Sequence, residues 1–77
     1  MLMISELQVE VLHREITVTL PGTSYTVTYH KPANSRILLA KRQSINEDER
    51  TTVTPSEFLG RAWWAANYKA RELGWIA

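Results

Sequence analysis

The chain contains no cysteine. That excludes disulfide staples, thiolate nucleophiles and cysteine-based zinc or iron–sulfur sites. A chain without thiols fits a reducing compartment, and a cytoplasmic location is expected. Glycine is also scarce. Gly22, Gly60 and Gly74 stand far apart, so no phosphate-cradling loop can be built from them. His13 and His30 are the two histidines, and neither stands in an HxxxH or HExxH spacing. Glu47, Asp48 and Glu49 lack the alternation of a calcium loop. No serine lies in a nucleophile-elbow context. No catalytic residue, metal ligand or cofactor site is therefore assigned, and an enzymatic role is not expected.

Long apolar runs are missing too. "ILLA" and "AWWAA" are the longest, against the roughly 20 residues that span a bilayer. The opening "MLMISELQVE" has no basic n-region and no long apolar h-region, so neither a signal peptide nor membrane association is expected. Nor is there a large excess of one charge. The formal net charge of +1 gives little pull toward nucleic acid or anionic lipid.

What is present suffices for a single domain, 1–77. A chain this short buries only about 60% of the surface exposed on unfolding, and association with a second chain is a common remedy for a thin core. Residues 16–20, "ITVTL", alternate apolar and polar, as do residues 25–29, "YTVTY". Such alternation of β-branched and aromatic residues marks half-buried antiparallel strands. "PGTS" lies between them, with Pro21 and Gly22 suited to the two central positions of a type II turn. A β-hairpin over 14–31 follows, with threonines on one face and Ile, Leu, Val and Tyr on the other. "LQVEV" also alternates, but Leu7, Val9 and Val11 are out of phase with Leu12, Ile16 and Val18. A bulge or tight turn near His13 would account for the slip. Residues 7–12 are read as a strand, the alternative being a short helix after Ser5, which has capping-box spacing to Gln8. Residues 36–42, within "RILLAKR", are read as a further strand, although the composition also suits a helix. "LPGTS" superficially matches a cell-wall sorting signal, but Ser24 stands where glycine is needed and no apolar tail follows. The turn explains those residues better.

The C-terminal segment carries the strongest local signals. Thr54 is a good N-cap, Pro55 suits the first helical position, and Glu57 completes a capping box. Val53 and Phe58 occupy the positions of a hydrophobic staple. Gly74 can terminate the helix in the left-handed conformation, with Trp75 positioned for an apolar contact behind it. One long helix over 55–73 is expected. The fold class is α+β: an antiparallel sheet of three to four strands covered by this helix.

At about 100° per residue, Phe58, Leu59, Ala62, Ala66, Ala70 and Leu73 share one arc, and Trp63 lies at its edge. Trp64 falls on the opposite side, with Arg61, Asn67, Tyr68 and Arg71 at neighbouring spacings. Aromatic rings mixed with guanidinium groups are typical of binding hot spots. Arg61, Trp64, Tyr68 and Arg71 are therefore the candidate partner-binding residues. The expected partner is a second copy of the chain or another protein, unless the N-terminal segment or the acidic loop covers Trp64 within the chain. The alternative reading is a nucleic-acid-binding domain. Lys31, Arg36, Lys41 and Arg42 would contact phosphates while Tyr25, Tyr29 or Trp64 stack on bases. Against it, the basic segment and the acidic residues that follow read as a self-compensating polar loop, with "QSINEDER" a mobile acidic stretch.

Strands followed by a long C-terminal helix resemble, in element order, the double-stranded-RNA-binding domains. The basic cluster those domains carry at the start of the last helix is replaced here by Pro55, Ser56, Glu57 and Phe58. The tail "KARELGWI", Lys69 to Ile76, resembles the C-terminus of small uncharacterised bacterial proteins and implies no activity.

Overall fold

Alternation in the sequence becomes a meander of four antiparallel strands followed by one helix. The computed structural model describes residues 7–46 and 48–76. Strand β1 spans Gln8–Leu12, β2 Glu15–Thr19, β3 Thr26–His30 and β4 Leu39–Ser44, and the helix α1 spans Pro55–Glu72. The strands lie in the order β1-β2-β3-β4, each paired with its sequence neighbour. Ile16, Val18, Val27 and Tyr29 point to the helix side and are buried. On the other face Thr17 pairs with Thr28, and Thr19 with Thr26, through hydroxyl contacts of 2.9 and 3.2 Å.

The turns account for the register. Leu20 accepts a hydrogen bond from the Thr23 amide at 3.2 Å, and Gly22 has φ +84°, the conformation a type II turn asks of its third residue. The phase slip near His13 is a tight two-residue turn. Leu12 pairs with Glu15, and His13 and Arg14 connect them. His13 takes φ +60°, an uncommon conformation for a residue with a Cβ. Gln8 lies in β1, so the helical reading of 7–12 does not hold; Ser5, its proposed cap, lies outside the described residues.

Two boundaries differ from the expectation. The fourth strand runs Leu39–Ser44 rather than 36–42. Arg36 and Ile37 lie in the connection, and Leu38 is buried in the core. A bulge between Thr28 and Tyr29 shifts the pairing, so that Arg42 faces Thr28 while Ala40 faces Tyr29. The stretch "QSINEDER" is not a mobile loop as a whole. Gln43 and Ser44 belong to β4, and Asp48 is buried. Glu47 lies outside the described residues.

Asp48 clasps residues 48–53 to the β2–β3 turn. Its carboxylate accepts from the Ser24 amide at 2.8 Å, the Arg50 amide at 2.9 Å and the Arg50 guanidinium at 2.6 and 2.9 Å. The Asp48 amide donates to the Tyr25 hydroxyl, which donates in turn to the Val53 carbonyl at 2.9 Å. The Arg50 guanidinium first, then the Arg50 and Ser24 amides, hold the Asp48 carboxyl well below the usual carboxylate range.

The helix begins and ends as its local signals require. Thr54 Oγ1 accepts from the Glu57 amide, and Glu57 Oε1 accepts from the Thr54 amide, closing the capping box. At the other end Gly74 has φ +80°, its amide donates to the Arg71 carbonyl, and the Trp75 amide donates to Ala70. That pair of bonds is a Schellman motif. It ends the helix at Glu72, so Leu73 is the cap and is 43% exposed rather than part of the core stripe. Trp75 packs against the core in its place. Phe58, Ala62, Ala66 and Ala70 are fully buried over β2 and β3, and the Phe58 ring lies 5.4 Å from that of Tyr25.

Candidate functional site

A helix lying on a sheet buries one arc and presents the other to its surroundings. The buried arc of α1 is wider than the apolar stripe alone. Asn67, expected beside Trp64, is buried instead. Its amide donates to the Trp63 carbonyl at 2.8 Å, so the polar group enters the margin of the core with a partner. Trp63 stands at that margin as its angle implied. It is 43% exposed, and its ring meets Tyr29 edge-on at 6.1 Å. Burial raises the Tyr29 hydroxyl above its ordinary pKa.

The opposite arc holds the other four residues together. Trp64 and Tyr68 are each 69% exposed, one helical turn apart. Arg61 and Arg71 are exposed on the same side. Residues 48–53 fold toward the β2–β3 turn, so they provide no cover for Trp64. Glu57 and Gly60 also belong to this face, at seven and four residues before Trp64. Sequence reasoning took Glu57 as a cap alone and gave Gly60 no role on the helix. The spacing itself was the available signal. Nothing lies within 4 Å of the position a Gly60 Cβ would occupy, so this glycine leaves open space on the face one turn before Trp64.

Of the four basic residues, Lys31 and Lys41 border one cleft, and Arg36 and Arg42 lie outside it. Lys41 and Arg42 lie on β4 and both engage Glu15, Arg42 at 3.1 Å. The Lys41 hydrogen bond leads in drawing the Glu15 carboxyl below its ordinary range. The Lys31 ammonium donates to the Pro32 carbonyl at 3.2 Å, and Arg36 is exposed in the connection before β4. Tyr25 and Tyr29 are buried and cannot stack on bases. Of the aromatic residues named for that role, Trp64 alone is accessible, on a helix face away from the sheet.

Among the described residues no group of three histidine or acidic side chains is placed to hold a metal ion. No described helix is long and apolar enough to cross a membrane. Comparison with protein-family models, with characterised proteins and with solved structures finds no match to this chain.

Proposed function

We propose that this chain is a small self-associating interaction module whose contact surface is the outer face of α1. The observation that carries the reading is the exposure of Trp64 and Tyr68, 69% each, side by side on a helix whose other face fills the core. Together they present roughly 300 Å² of aromatic surface, taking about 150–250 Å² for each ring fully covered. That is a sizeable share of the roughly 800 Å² each partner contributes to a standard interface. The reading includes a cytoplasmic location and no catalytic role.

The occupant is a second copy, because the face is complementary to itself when reversed. Two antiparallel helices related by a two-fold axis at Trp64 bring together residues equally spaced on either side of it. Gly60 and Tyr68 lie four residues either side of Trp64, and Glu57 and Arg71 lie seven either side. Each Tyr68 ring then sits over the gap at Gly60 of the other copy. Each Arg71 meets a Glu57 whose carboxyl is held ionised by its own helix cap. Spacings of four and seven keep these residues on one seam of a helix pair. A two-fold interface closes on itself and is the commonest form of self-association.

Gly60 provides the test. Gly60→Ala adds one methyl group to open space and keeps the dimer. Gly60→Arg fills the gap that Tyr68 needs and gives a monomer with an unchanged circular dichroism spectrum. Size-exclusion chromatography with light scattering reads both outcomes. A Gly60→Arg protein as dimeric as the wild type contradicts this register.

A further inference from the structure

The two ends of the sheet treat their charges differently. At the end that holds the β2–β3 turn, the Asp48 carboxylate and its partners satisfy one another. At the other end, the His13–Arg14 turn and the connection after His30 border an open cleft of about 710 Å³. His13, Arg14, His30, Lys31 and Lys41 line it, against the single carboxylate of Glu15. That carboxylate is already engaged by Lys41 and Arg42. Arg14 makes no hydrogen bond or ion pair among the described residues. The cleft thus offers a guanidinium, an ammonium and two imidazoles with no neutralising group left over.

The backbone adds a second observation. His13 holds φ +60° at a position where glycine would be free of strain. A two-residue hairpin turn asks a positive φ of its first central residue, so the turn itself holds the His13 side chain at the cleft. A metal ion does not suit the cleft, because cations crowd it and Lys41 and Arg42 already engage its one carboxylate, Glu15. A carboxylate ligand would use the Arg14 fork and leave the other donors idle. A phosphate monoester has a dianionic charge and three terminal oxygens, enough for all of them. The volume falls within the roughly 300–1,000 Å³ of small-molecule sites, larger than inorganic phosphate requires.

We infer that this cleft binds the phosphate monoester group of a small molecule, with Arg14 and Lys31 as its principal contacts. The site is separate from the outer face of α1, so it stands or falls independently of self-association.

The test is an amide chemical-shift titration at constant ionic strength, with sodium chloride as the reference salt. The probes are inorganic phosphate, glycerol 3-phosphate and a short oligonucleotide with and without a 5′-phosphate. Saturable shifts confined to residues 12–15 and 30–33 are expected with inorganic phosphate and, more tightly, with glycerol 3-phosphate. Arg14→Ala weakens binding about tenfold or more, as loss of a charge-assisted contact implies, and Lys31→Gln weakens it to a lesser degree. Arg36→Ala removes the same charge outside the cleft and leaves binding unchanged. Non-saturating shifts, or an Arg14→Ala protein that binds like the wild type, overturn the assignment. So does binding confined to the oligonucleotides, which would make the ligand a nucleic-acid strand.

Discussion

Helix α1 has two faces built on opposite rules. The inner face is Phe58 followed by three alanines at four-residue spacing, all fully buried. Small side chains let the helix lie close to β2, and the bulk comes from the sheet through Ile16, Tyr25 and Val27. The outer face places its bulk on the helix, in Trp64 and Tyr68, with Gly60 leaving open space one turn before Trp64. A face whose volume is supplied from across the contact belongs to a finished core. A face that carries both a protrusion and a gap has the shape of one half of a contact. On the proposed reading the difference separates stability from association, and substitutions on the two faces should report it separately.

Phe58→Ala should have the largest effect. It empties the centre of the core against Tyr25 and should cost about 3–5 kcal/mol, close to the whole stability of many small domains. Urea denaturation followed by circular dichroism measures it. Ala66→Leu should follow, at about 1–3 kcal/mol, because the helix cannot back away from β2 without disturbing its whole inner face. If Ala66→Leu is neutral, the close approach of helix and sheet is not the organising feature described here.

Asp48→Asn lies on neither face and acts through pH. A carboxyl held low in the folded state stabilises fully above its unfolded pKa, and that contribution is lost as pH falls toward the folded value. The wild type should therefore lose stability as pH drops below about 4. Asp48→Asn should be less stable at neutral pH and should lose less on acidification. Glu15 and Glu57, also lowered, keep a residual slope in the variant. Thermal melts at pH 7, 4 and 3 distinguish the two proteins. The smallest change is Gly60→Ala, which should raise stability by about 0.5–1 kcal/mol by removing a helical glycine into open space.

Much of this architecture was legible from local residues. The Thr54–Pro55–Glu57 cap, the Gly74 stop and the Pro21–Gly22 turn each depend on neighbours within five positions, and each formed as its chemistry demands. The outer position of Trp64 followed from helical periodicity alone. Three features were not legible because distant residues decide them. The register of β4 depends on a bulge opposite Thr28 and Tyr29. Asp48 looked like one acid among three, yet a turn 24 residues earlier supplies its amide partner. Asn67 shared a sequence spacing with Trp64, but tertiary packing buries it, with its amide on the Trp63 carbonyl. The cleft at His13 and Arg14 was invisible for the same reason: two separate connections form it.

Sedimentation equilibrium of the wild type and of Trp64→Ala, across a hundredfold range of concentration, tests self-association most directly. The account predicts a reversible dimer for the wild type. It predicts a monomer for Trp64→Ala with folding stability within about 0.5 kcal/mol of the wild-type monomer, as for an exposed substitution. A wild type that stays monomeric at the highest concentration, or a Trp64→Ala protein that still dimerises, would contradict it.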